Sequence, residues 1–166
     1  MTIRDAEVKD AGGIAEIYNY YIEHTHVTFE ETSVGETDIR SRIEETLSEN
    51  LPYLVALDEA EKLVGYAYAS KWKGRCAYRY SVEVTVYLCQ QATGKGWGKK
   101  LYKALFTKLK DQGYHVAMGG ISLPNDASVA LHESLGMTKV AHFKEVGFKF
   151  KKWVDVGYWQ GMLNEF

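Results

Sequence analysis

Glu83 is an isolated carboxylate in an apolar strand. In the run from Tyr78 to Leu101, YRYSVEVTVYLCQQATGKGWGKKL, residues Val82, Val84, Val86 and Leu88 fall at alternate positions and read as a strand. Burial among valines raises the pKa of a carboxylate toward working pH, which suits it to take a proton. The strand leads into Gly94, Gly96 and Gly98, two residues apart. These open a segment with Leu101, Ala104, Leu105 and Leu109 on one helical face. Glycines at a helix start let bare N–H groups approach an anion, and the helix dipole there favours negative charge. The pattern describes a phosphate-bearing cofactor held at a helix N-terminus, with a candidate general base beside it.

Other glycine loops fit less well. A dinucleotide fingerprint belongs near the first strand, with an acidic residue after the second, and this motif lies past the midpoint of the chain. A nucleoside-triphosphate loop ends Gly-Lys-Ser/Thr, whereas here Gly98 is followed by Lys99 and Lys100. A plain tight turn needs fewer than three alternating glycines.

The elements that must position this segment fit one domain. The chain has 166 residues, 46% hydrophobic and 25% charged, with a formal net charge of −2. That length supports one core, and the charge balance gives no reason to expect nucleic acid as a partner. No apolar run reaches membrane-spanning length, MTIRDAEVKD lacks a signal-peptide pattern, and Cys76 and Cys89 make no disulfide framework. The expected location is the cytoplasm. Aromatics, 13% of residues, gather at 66–87 and 143–159. Filling of the core is the expected role for most of them.

Thr2 to Arg4 reads as a first strand. Asp10 is placed to cap a helix carrying Ile14, Ile17, Tyr18, Tyr21 and Ile22, and a second helix carries Ile39, Ile43 and Leu47. Tyr53 to Leu57 and Leu63 to Ser70 form a predicted hairpin. After the central strand and the glycine-led helix come a strand over Val116 to Leu123 and a short helix from Asp126 to Leu135, stopped by Gly136. Two strands follow, Thr138 to Lys149 and Trp153 to Met162, with KFKKW (149–153) as a charged hairpin tip. The order β-α-α-β-β-β-α-β-α-β-β predicts an α/β (α+β) fold, with a mixed, mostly antiparallel sheet flanked by helices.

Across essentially the whole chain, this order and the glycine segment resemble the GCN5-related N-acetyltransferase superfamily. Within it, the chain resembles the phosphinothricin and methionine sulfoximine N-acetyltransferase group. The matching stretches are IYNYYI (17–22), TFE (28–30), WKGRCAY (72–78), VEVTVY (82–87), LPNDAS (123–128), LHESLGM (131–137) and WVDVGYWQ (153–160).

The resemblance implies acetyl-CoA as co-substrate, a small primary amine as acceptor, and direct transfer in a ternary complex. It places Thr85, Val86 and Tyr87 along the pantetheine arm, with Asn125 and Ser128 nearby. It places Thr93, Gly94, Lys95, Gly96, Trp97 and Gly98 around the pyrophosphate. The superfamily loop usually begins with Arg or Gln; counting back from Leu101 puts Thr93 there, and Gln91 fits only a register shifted by two. Glu83 is implied as general base and His132, in the LHE motif, as a residue near the reacting carbonyl. The helix carries no tyrosine for protonating the thiolate.

Substrate recognition is expected from Phe29 and Trp72 as an apolar wall, Arg75 on a carboxylate or phosphinate, and Tyr78 as a hydrogen-bond donor. The family also implies a homodimer through the C-terminal strands. No metal is expected: His24 and His26 lack companion ligands, and His115 and His142 read as surface residues. Acetylation of a polyamine, an aminoglycoside or a protein N-terminus is the enzymatic alternative. A non-catalytic acyl-CoA-binding module is the alternative from another class.

Overall fold

The structure, a computed structural model, describes residues 2–166. Among them, seven strands and four α-helices follow the predicted order. They are β1 (Thr2–Asp5), α1 (Ala11–His24), α2 (Glu36–Ser48), β2 (Tyr53–Leu57), β3 (Leu63–Lys71), β4 (Ser81–Leu88), α3 (Trp97–Asp111), β5 (Val116–Leu123), α4 (Asp126–Glu133), β6 (Thr138–Lys149) and β7 (Lys152–Met162). One sheet runs β1-β2-β3-β4-β5-β7-β6. Every pairing is antiparallel except that of β4 with β5.

Each face of the sheet has its own core. Val82 and Val84 turn toward α3, which buries Leu101, Tyr102, Leu105, Phe106 and Leu109 against Ala117, Ile121 and Trp159. The opposite face holds Ile14, Ile17 and Ile22 of α1 and Ile39 and Ile43 of α2 against Tyr53, Tyr66 and Tyr87. Tyr53, Tyr66 and Tyr68 stack with ring centroids 4.9–6.3 Å apart. The period-2 and period-3.6 patterns met because each helix had a sheet face to cover.

Three local expectations are corrected. Asp10 precedes α1 but does not cap it with its side chain, because Arg4 takes the carboxylate bidentately at 2.7 and 2.8 Å. The aromatics of 143–159 are mostly not core: Phe143, Phe148, Phe150 and Trp153 are exposed, Trp153 at 64%. They stand on the edge strand and the β6–β7 hairpin tip, which no helix covers. The charged hairpin tip also loses a member, since Lys149 is 2% exposed and its ammonium donates to the Thr28 carbonyl at 2.9 Å.

Candidate active site

The sheet opens where β4 meets β5. Their parallel pairing covers only Ser81–Glu83 against Val116–Met118, so Glu83 is the last β4 residue in register with β5. Ser81 O accepts from Trp72 N and Cys89 N donates to Val64 O, so the odd-numbered residues turn their backbone groups to β3. Backbone groups alternate edges along a strand, so those of Val84, Val86 and Leu88 face the gap. Side chains reach two of these carbonyls: Tyr102 donates to Val84 O at 3.4 Å and Tyr21 to Leu88 O at 2.7 Å. Between them, Val86 presents a strand edge in the middle of a sheet.

Two connected cavities occupy the gap. A groove of about 580 Å³ is lined by Val86, Tyr87, Leu88, Thr93, Gly94, Gly96, Gly98, Lys99, Asn125 and Ser128. A cleft of about 670 Å³ is lined by Phe29, Trp72, Lys73, Glu83, Thr85, Tyr102, Ser122, His132 and Tyr158, and shares Val86, Tyr87, Asn125 and Ser128 with the groove. Gly94 (φ 71°) and Gly96 (φ 79°) hold left-handed backbone, and a Cβ at either would stand in open space, so the backbone there is bare toward solvent. α3 begins at Trp97, directly after Gly96, and presents its unpaired first-turn amides there. Bare amides at a helix start, continuous with an unpaired strand edge, suit a pyrophosphate followed by an extended amide-bearing arm. The groove fits such a cofactor.

Most residues expected from the sequence are brought together here. Thr85, Val86, Tyr87, Asn125 and Ser128 line the gap, Thr93, Gly94, Gly96 and Gly98 line the groove, and Phe29 and Trp72 wall the cleft. Asn125 also caps α4, its side-chain oxygen accepting from Ser128 N at 3.2 Å. Thr93 faces the groove whereas Gln91 faces a separate hollow beside Glu16, which favours the Thr93 register. Lys95 and Trp97 do not line the groove. Arg75 and Tyr78 are exposed on the 72–80 loop and do not line the cleft; Lys73 is its one Lys or Arg lining residue among those described.

Burial pushes the Glu83 carboxyl above its ordinary range, partly offset by a hydrogen bond from Tyr158 and by the nearby charge of Lys73. Gly120 makes this pairing possible: a Cβ there would stand 3.2 Å from Glu83 Oε1 and 3.1 Å from the Tyr158 ring. Trp72 packs edge-on against Tyr158 at 5.3 Å. His132 is 3% exposed, with Nδ1 2.7 Å from Ser128 O and Nε2 3.4 Å from the Tyr102 hydroxyl. Burial lowers its pKa, leaving a neutral ring. Gly119 makes room for that ring, since a Cβ there would meet Nε2 at 2.4 Å.

Sequence reasoning missed Tyr102, Tyr158, Ser122 and Lys73. A usable signal was present, because paired glycines inside a strand mark close approach by neighbouring groups. Gly119 and Gly120 point to His132 on one face and to Tyr158 with Glu83 on the other. Among the described residues no group of three or more His, Cys, Asp or Glu side chains is placed to hold a metal, and no helix is long and apolar enough to cross a membrane.

A sheet parted at its centre over a glycine-led helix defines a mixed α/β fold built around one extended, phosphate-bearing cofactor. The family of the acetyltransferase (GNAT) domain matches residues 3–157, and the chain belongs to that family. It is 39% identical over 166 residues to the L-methionine sulfoximine/L-methionine sulfone acetyltransferase of Salmonella typhimurium, covering 99% of this chain and 96% of that protein. It is likewise 39% identical over 161 residues to the phosphinothricin N-acetyltransferase of Streptomyces viridochromogenes, covering 96% and 86%. The crystal structure of a phosphinothricin acetyltransferase from Sinorhizobium meliloti in complex with acetyl-CoA superposes with a TM-score of 0.94 at 37% identity, over 97% of this chain and 87% of that one. By family, the chain is an acetyltransferase.

Proposed function

We propose that this enzyme moves the acetyl group of acetyl-CoA directly to the primary amine of a small amino-acid analogue, of the phosphinothricin or methionine sulfoximine kind. The observation that carries this reading is the position of Glu83, a half-buried carboxylate of raised pKa in the cleft, at the point where β4 leaves β5. An α-amino group is mostly protonated near neutral pH and must lose a proton before it can attack. Acetyl-CoA, when bound, supplies an activated thioester. Glu83 accepts the ammonium proton while Tyr158 holds the carboxylate in place. The amides from Thr93 to Gly98 hold the pyrophosphate, with Lys95 and Trp97 at the edge of that loop. Thr85, Val86 and Tyr87 align the arm, and Asn125 and Ser128 close its far side.

Lys73 favours an anionic substrate over a polyamine or an aminoglycoside. Its side chain lines the cleft, close enough for its charge to act on Glu83. Phe29 and Trp72 supply the apolar wall, and Arg75 and Tyr78, exposed on the same loop as Lys73, would act on the substrate from outside the cleft lining. His132 is placed near the reacting carbonyl.

The exposed strip of Phe143, Val146, Phe148, Phe150 and Trp153 on β6, β7 and the turn between them is read as the face that joins a second copy into a homodimer. The proposed setting is the cytoplasm, where the exposed thiol of Cys76 stays reduced. Resistance to herbicide- or antibiotic-like compounds of the phosphinothricin kind is the expected consequence of the activity in a cell.

The test is acetyl-CoA-dependent thiol release by the purified protein, with and without phosphinothricin or methionine sulfoximine. A large amine-dependent rate supports the reading. Release only with polyamines, aminoglycosides or peptides overturns the substrate class. Tight acetyl-CoA binding with no release toward any amine points to a non-catalytic acyl-CoA-binding module.

A further inference from the structure

Ser122 is 6% exposed, lines the cleft, and its hydroxyl has no protein hydrogen-bond partner. A buried hydroxyl without a partner is costly and native structures rarely keep one. Directly across the sheet its neighbours are apolar. Val156 lies opposite in the β5–β7 register, with Phe143 next across on β6 and Val146 in the same wall. Ser122 therefore sets an unpartnered hydroxyl beside the apolar side chains of Val156, Phe143 and Val146.

Its place in the strand gives a distance. Gly120, two residues earlier on the same face of β5, stands against Glu83 Oε1. Two strand residues span about 7 Å. A substrate amine at Glu83 would thus reach Ser122 with a polar group carried several bonds away.

We propose that the Ser122 hydroxyl is a specificity contact, donating a hydrogen bond to an oxygen bonded to the δ atom of an amino-acid substrate: a sulfone, sulfoximine, phosphinate or amide. This inference rests on the amino-acid reading of the site and names which side chains that site selects. It also accounts for a hydroxyl where alanine would pack equally well against Val156.

Methionine sulfone and methionine are suitable probes, because they share a skeleton and differ in the two sulfur-bound oxygens. For each, kcat/KM is measured with acetyl-CoA, and the dissociation constant is measured calorimetrically in the presence of CoA, on the full chain and on Ser122→Ala. The expected result is a loss of about 3- to 10-fold in both quantities for the sulfone, with methionine changed less than about twofold. Ser122→Cys, close in shape but a weaker donor, should fall between. The thermal midpoint of Ser122→Ala should be unchanged or raised, because no protein partner is lost.

Equal losses for both amino acids, or none for either, overturn the contact while leaving the amino-acid reading in place. If neither amino acid binds or turns over with the wild type, the amino-acid reading fails and this contact falls with it.

Discussion

His132 Nδ1 stands 2.7 Å from the carbonyl oxygen of Ser128, one helical turn earlier on α4. A carbonyl oxygen only accepts, so Nδ1 carries the hydrogen and Nε2 offers a lone pair. Burial keeps the ring neutral. His132 Nε2 thus presents a lone pair to the Tyr102 hydroxyl, whose single hydrogen is shared between Nε2 and Val84 O, and is not a proton donor in its resting state. His132→Ala should lower kcat by about tenfold, the worth of one well-placed hydrogen bond. The acid limb of the pH–rate profile should stay where it is in the wild type; a limb that moves or vanishes in this variant would transfer the titrating role to His132.

Gly119 gives an independent check on the ring's position. A Cβ 2.4 Å from Nε2 leaves the imidazole no room. Gly119→Ala should therefore cost about as much activity as His132→Ala, and the double variant little more than either, because both changes remove one interaction. Additive losses in steady-state kinetics would refute a shared cause.

Glu83 titrates above the ordinary carboxylate range because burial disfavours its charge. On the proposed role of Glu83 as base it must be ionised to work, so kcat/KM should rise with pH through that raised value. Glu83→Gln should remove the limb and lower the rate by about 10²- to 10⁴-fold. For stability the sign is opposite. A carboxyl with a raised folded-state pKa makes the fold less stable as pH rises from its unfolded value through its folded one. Glu83→Gln should raise the melting temperature at pH 8, and the gain should vanish below pH 4. Calorimetric scans across that range would show it.

Lys73 and Arg75 share a loop, but only Lys73 lines the cleft. Lys73→Ala should raise KM for phosphinothricin more than Arg75→Ala does. It should also move the acid limb to higher pH, because the charge of Lys73 lowers the Glu83 pKa. A larger KM effect at Arg75 would return the anion contact to that residue.

Lys149 ties the β6–β7 hairpin to the 25–33 loop through its bond to Thr28 O. Phe29 of that loop lies flat on Gly147, where a Cβ would come within 2.3 Å of the ring. Lys149→Met should cost about 1.5–3 kcal/mol in urea unfolding, the range for a hydrogen bond from a charged group. It should also raise KM for the amine, because Phe29 loses its support. Unchanged stability would place the Lys149 ammonium in solvent.

The elements were legible because their patterns are local. Alternating valines made β4, the spacing of Leu101, Leu105 and Leu109 made α3, and Gly136 marked the end of α4 within two residues. Glu83 and the glycine loop were legible because charge among valines and repeated glycines are unusual within one short window. Tyr158 and Ser122 were not, since each enters the cleft from a strand distant in sequence from Glu83, and Tyr102 stands beside Leu101 among residues that read as core. Lys149 reads as a tip lysine beside Lys151 and Lys152, and only the fold shows that Thr28 lies above it. Arg75 drew attention by its motif, yet motif membership does not say which side chain of a loop turns inward.

The three residue pairs joining β4 to β5 are the whole strand-to-strand seam between two half-sheets. An extended co-substrate lying along Val86 would act as a removable rung that closes the seam. Ligation and cohesion of the fold are then one equilibrium: a ligand at a hundred times its dissociation constant adds about 2.7 kcal/mol to stability. Without that rung the two half-sheets are joined across β4 and β5 by those three pairs alone.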